Sequence, residues 1–192
     1  MSAIFITSDW HFNHDREFIW GPRGCASVEE MNEAIIENHN RVVGCDDDVY
    51  VLGDLVFGHN VQDGLNKIRR LHGYMHVVIG NHDSEKKIQE YLKLKQEGKI
   101  VEIEPVIALK HNGYSFWLTH YPTITENYDY EKPLERRIIN LCGHSHTKDK
   151  FYDFDKGLIY HCELDAHDLK PIPIEQIEKE ITKEFKKLDR RN

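Results

Sequence analysis

The chain has 192 residues, 40% of them hydrophobic and 30% charged, a balance that suits one domain (1–192) with a proper core. Its formal net charge of -8 argues against a protein that grips extended duplex nucleic acid by its phosphates. No apolar run approaches the roughly 18 residues of a membrane span, and no signal-peptide pattern opens the chain, so a cytoplasmic protein with four reduced thiols is expected.

Ala3 to Thr7 reads as a short apolar strand that delivers Asp9 and His11 to its carboxyl end. Residues 12 to 26 show no period, and Trp20-Gly21-Pro22-Arg23-Gly24 is turn chemistry, so this stretch is expected to be a loop. Ser27 and Glu30 form a capping-box pattern, followed by a helical stripe of Val28, Met31, Ile35, Val42 and Val43. Val49 to Leu52 is a second strand, ending at Gly53-Asp54. Val61, Leu65, Ile68 and Leu71 share one helical face. Tyr74 to Ile79 is a third strand, ending at Gly80-Asn81-His82-Asp83, and a polar helix is expected over 84–96.

The second half is richer in strands. Ile100 to Ile103, Val106 to Lys110 and Tyr114 to Thr119 are predicted strands, with Asn112-Gly113 as a hairpin turn. His120 follows directly, and a short helix is expected over 131–137. Ile138 to Cys142 is a strand that runs into Gly143-His144-Ser145-His146. A closing pair, Phe151 to Phe154 and Leu158 to His161, flanks a turn at 155–157. A final helix spans 174–188, with Ile174, Ile177, Ile181, Phe185 and Leu188 on its apolar face. This order predicts an α/β (α+β) fold, a layered sandwich of mixed sheets with helices outside. In such sheets ligands bind beyond the carboxyl ends of strands, where all five motifs fall.

The motifs supply seven candidate metal ligands: Asp9, His11, Asp54, Asn81, His120, His144 and His146. Carboxylate, imidazole and amide oxygen suit Mn, Fe, Zn or Ni, and the absence of motif cysteines argues against an iron–sulfur or structural zinc site. Two adjacent metals need a bridging ligand, and Asp54 is the candidate, with Gly53 allowing close backbone approach. His82 is left over as a general acid for a leaving oxygen, with a metal-bound hydroxide as nucleophile. Trp10, Phe12 and Cys142 are assigned to the core, and His161 and residues 165–167 to structural hydrogen bonding.

In order, D-x-H, G-D, G-N-H-D, a lone His and G-H-x-H resemble the calcineurin-like metallophosphoesterases, most closely the small stand-alone bacterial and phage-type members that open with D-x-H-F-x-H. That resemblance implies a four-layer α/β/β/α sandwich of two mixed sheets flanked by helices. It implies one metal on Asp9, His11, Asp54 and His146, a second on Asp54, Asn81, His120 and His144, and His82 as the acid. Manganese is the first expectation for both ions. The family's frequent G-D-x-x-D-R continuation is absent, since Gly53-Asp54 is followed by Leu55-Val56-Phe57-Gly58. Asp83 is therefore the candidate to support His82, and His14, Arg16 and Arg23 are the candidates to bind phosphate.

The expected activity is dimetal hydrolysis of phosphodiesters, with monoesters as further substrates and a small phosphate ester, nucleotides included, as the partner. The alternatives are a nuclease acting on RNA or DNA ends and a non-catalytic binding module on the same scaffold. No heptad or exposed apolar stripe sets an oligomeric state.

Overall fold

A computed structural model of the chain describes residues 2–58, 60–125, 134–152 and 158–189. The first sheet has the order β10-β1-β2-β3-β4. Strands β1 (Ile4–Thr7), β2 (Asp48–Val51), β3 (Tyr74–Val78) and β4 (Ile100–Glu104) run parallel, and β10 (Ile172–Pro173) closes the edge antiparallel to β1. The second sheet has the order β5-β6-β7-β9-β8, from β5 (Ile107–His111), β6 (Tyr114–Leu118), β7 (Ile138–Cys142), β8 (Phe151–Tyr152) and β9 (Ile159–His161). Its central strands β6, β7 and β9 are parallel and its two edge pairs antiparallel. The result is two mixed sheets flanked by helices, as expected.

Alternation along the strands divides the core in two. On the first sheet, Phe5, Val49, Val51, Met75 and Val77 face an outer layer of helices. That layer holds α2 (Val28–Val42), α3 (Val61–Arg69) and α4 (Glu85–Gln96), which contribute Met31, Ile35, Leu65, Ile68, Tyr91 and Leu94. The alternate residues Ile6, Tyr50, Leu52 and Val78 join Phe116, Leu118, Ile139, Leu141 and Tyr160 of the second sheet. Helix α5 (Ile174–Asp189) adds Ile174, Ile177 and Ile181 to this second cluster. It is tied to the second sheet by Tyr114 to Thr182 (2.7 Å) and Tyr160 to Glu180 (2.7 Å).

Local chemistry sets the boundaries. Ser27 Oγ caps α2 by accepting from Glu30 N, while Glu30 reaches back to Ala26 N. Asn112 and Gly113 carry φ of 46° and 85°, the paired positive values of a type I′ hairpin. Residues 12–26 are not all loop: Glu17–Trp20 forms a single helical turn, α1. Val42 is exposed because Ile36 and His39 take the inward positions of α2, and Val43 packs from just beyond its end. Trp10, Phe12 and Cys142 are buried in the core. All four cysteines are free thiols, with Cys45 alone exposed. The expected helix over 131–137 is described only at 134–136, as one 3-10 turn, and the expected turn at 155–157 and the Leu188 side chain lie outside the described residues. Among the described residues no helix is long and apolar enough to cross a membrane.

Candidate metal centre

Five loops leave the carboxyl ends of β1, β2, β3, β6 and β7 at one edge of the sandwich, and each brings ligand-type residues within four positions of its strand. The first two loops are zipped together by backbone bonds. Asp9 N donates to Gly53 O (3.1 Å), His11 N to Asp54 O (2.9 Å), Phe12 N to Leu55 O (3.1 Å) and Phe57 N to Phe12 O (2.8 Å). Gly143 N donates to His120 O (3.0 Å), which joins the loops of the second sheet in the same way.

The seven ligand candidates converge. His11 Nε2 lies 3.1 Å from His146 Nε2, 3.6 Å from Asp9 Oδ1 and 3.5 Å from Asp54 Oδ2. That same Asp54 Oδ2 lies 3.5 Å from His120 Nε2. Asn81 Oδ1 is 2.8 Å from His120 Nε2 and 2.9 Å from His144 Nδ1. Asp9, His11 and His146 form one group whose donor atoms are mutually close, and Asp9, Asp54 and His120 form another.

The donor set fits divalent cations. Asp9 Oδ1 is buried without a hydrogen-bond partner, while its Oδ2 accepts from His144 N at 2.9 Å. A lone buried carboxylate oxygen is costly, and a cation is the partner its surroundings can admit. Burial would raise the Asp9 carboxyl, yet His11 beside it, with His146 and His120, holds it well below the usual carboxylate range. Burial pushes His11 below its ordinary value against the pull of Asp9 and Asp54, and burial with neighbouring His120 lowers His144. These two imidazoles are thus biased toward the neutral form that binds metal. Burial would also lower His146, but the hydrogen bond from its Nδ1 side to Asp165 raises it overall.

Backbone strain marks the same residues. Asp9, His11, Asp54, His144 and His146 all have positive φ, between 48° and 73°. At about 1 kcal/mol each this conformation costs roughly 5 kcal/mol, comparable to the whole stability of a small domain, so the loops persist only because their surroundings fasten them. Two glycines make the close approaches possible. A Cβ on Gly53 would stand 2.6 Å from His120 Nδ1 and 2.7 Å from Gly80 Cα. One on Gly143 would stand 2.0 Å from Ser8 Oγ and 2.3 Å from Asp9 Oδ2.

His82 is exposed at the mouth of the centre, its ring centroid 5.5 Å from that of His11 and 5.1 Å from that of Phe57. Its main-chain N donates to Asp54 Oδ1 (2.8 Å), and its carbonyl accepts from Lys87 Nζ (2.8 Å). His14 stacks on Phe57 with centroids 3.7 Å apart and meets His11 edge-on.

Three expectations are corrected. Asp83 does not support His82. Its buried carboxylate accepts from Asp54 N, Leu55 N, Gly80 N and Tyr91 Oη, so it clasps the G-D and G-N-H-D loops together. Arg23 is not free to clamp phosphate. Its fully buried guanidinium donates to both Asp165 oxygens (3.1 and 2.8 Å), to Asp9 O (2.8 Å) and to Trp10 O (3.2 Å). Arg16 lies exposed at the start of α1 and reaches none of the ligand residues. Lys87 and Phe57 are participants that sequence reasoning passed over, and Asp165, assigned to structural hydrogen bonding, makes its bonds to His146 and Arg23 beside the centre. Asp165 carried one weak signal, a charge close behind a strand that ends beside the last motif.

Residues 3–160 match the calcineurin-like phosphoesterase superfamily domain. An uncharacterised protein of Methanocaldococcus jannaschii is 29% identical over 185 residues, covering 95% of this chain and 93% of that one. A solved protein of unknown function from Aquifex aeolicus superposes with a TM-score of 0.62 at 25% identity, over 93% of this chain and 99% of that one. An archaeal phosphodiesterase superposes with a TM-score of 0.50 at 21% identity, over 85% and 86% of the two chains, a likeness of fold. With its motif-bearing loops on the carboxyl ends of two stacked sheets and a family match over most of its length, the chain belongs to the calcineurin-like phosphoesterase superfamily.

Proposed function

We propose that this protein is a dimetal-dependent phosphodiesterase that prefers small diesters, nucleotide esters among them, to monoesters. The observation that carries the proposal is the Asp54 carboxylate, whose Oδ2 stands 3.5 Å from an imidazole on each side. Asp9, His11, Asp54 and His146 would hold one divalent ion, and Asp54, Asn81, His120 and His144 the other, with manganese the first choice and Fe, Zn or Ni suited to the same donors. When bound, such a pair neutralises phosphate charge and makes a water-derived nucleophile available near neutral pH.

The chain's own groups position and protonate. Asp54 Oδ1 fixes the His82 backbone, so the imidazole sits over the His11 side of the centre, where it gives its proton to the departing oxygen. His14, held flat against Phe57, is the remaining candidate to meet a phosphate oxygen. The preference for diesters follows from Arg23. With that guanidinium spent on Asp165, Asp9 and Trp10, it offers no fork to a dianionic monoester, whereas a singly charged diester needs less compensation.

Protein stripped of metal and reloaded with Mn should hydrolyse bis-p-nitrophenyl phosphate faster than p-nitrophenyl phosphate. Faster monoester turnover would make it a phosphatase. No turnover of either by protein that binds no metal would end the enzyme reading.

A further inference from the structure

We infer that Asp165 and Arg23 form a positioning pair that locks the Asp9–His11–His146 half of the centre, Asp165 by fixing the ring of His146 and Arg23 by bracing Asp165 against the D-x-H loop. The inference rests on the proposed metal centre and adds to it two residues outside its motifs. Asp165 also lies beyond residues 3–160, the stretch that matches the family domain.

Asp165 Oδ2 is 2.9 Å from His146 Nδ1. The carboxylate accepts, so Nδ1 carries the proton and Nε2 is left bare, aimed at His11 Nε2 and Asp9 Oδ1. A carboxylate behind a ligand imidazole fixes its tautomer and ring orientation and raises its basicity. Asp165 is itself held by a two-pronged contact from Arg23 Nε and Nη2. The same Nη2 donates to Asp9 O, and Nη1 to Trp10 O, so one guanidinium spans the loop that carries Asp9 and His11 and the carboxylate that holds His146. Its fork matches a carboxylate in a way lysine cannot.

The test is calorimetric titration of metal-free protein with Mn(II), in wild type, Asp165→Asn, His146→Ala and the double variant. The expected result is two ions bound by wild type and a site about 10- to 100-fold weaker in Asp165→Asn, the other holding its affinity. In the His146→Ala background the Asp165→Asn change should add nothing further, because Asp165 acts through that ring. Additive losses, or equal weakening of both sites, would mean a merely structural role and overturn the inference. Two ions bound with Asp165→Asn unchanged would overturn it and leave the metal centre standing. No Mn(II) bound by wild type would overturn the metal centre and this inference together. Should Asp165→Asn not fold, nitrogen NMR of the wild type loaded with Zn(II) decides: a proton on His146 Nδ1 supports the pair, and a proton on Nε2 overturns it.

Discussion

The two halves of the proposed metal centre are fastened by different means. Around Asp9, His11 and His146 the fastening is by buried side chains, Arg23 and Asp165 above all. Around Asn81, His120 and His144 it is largely by backbone: His120 Nδ1 meets Leu52 O at 2.8 Å, and His144 is placed by its own main-chain N on Asp9. Exposure differs as well: Asn81 and His144 face solvent with only His120 buried beside them, whereas Asp9 and His11 are buried with only His146 half-open beside them. A buried half with a rigid frame loses less entropy on taking up an ion than an open half does. The difference therefore predicts unequal affinities, with the ion on the Asn81 side the first to leave on chelation.

The largest break in that comparison is the residue the halves share. Asp54→Asn should lower diester turnover at least a thousandfold, about 4 kcal/mol of barrier, and take metal content below two per chain by elemental analysis. Full metal occupancy would deny Asp54 its bridging place. His82→Ala should leave both halves loaded yet slow turnover about a hundredfold, most for substrates with poor leaving groups. Metal lost along with activity would make His82 a ligand instead.

A smaller effect separates the halves sterically. Gly143→Ala drives a Cβ into Ser8 and Asp9 and should cost about 2 kcal/mol of stability in denaturant melts, with the Asp9 side losing its ion first. Unchanged stability would show that the loops can part without penalty.

The smallest lies outside the centre. Burial lowers His39 and His167 from 6.5 to about 4. Between those values the unfolded chain binds more protons than the folded one. Their contribution is therefore whole above about pH 6.5 and is lost as pH falls toward 4, by about 1 kcal/mol per group at pH 5.5. His39→Gln should flatten the slope of urea stability against pH in that window. An unaltered slope would place the acid sensitivity on other groups.

The strands and the motif-bearing loops that follow them were legible because each motif follows directly on an apolar run, a purely local signal. Ser27 and Asn112-Gly113 were legible for the same reason, since capping and hairpin turns depend on neighbours in sequence. Arg23 and Asp165 were not. They lie 142 positions apart and meet only in the folded chain. Arg23 sits in Pro22-Arg23-Gly24, where turn chemistry hides its burial. Asp83 misled through adjacency: next to His82 in sequence, it points the other way and gathers backbone N–H groups from two loops. Strand β10, two residues long, is too short to show a period.

The edge strand β10 also sets an order of events. It pairs with β1, so the first strand gains its outer partner only after residues 172–173 have been made. His146 and Asp165 likewise come late, well after Asp9 and His11. During synthesis the D-x-H loop must therefore wait through more than a hundred and fifty residues for its brace.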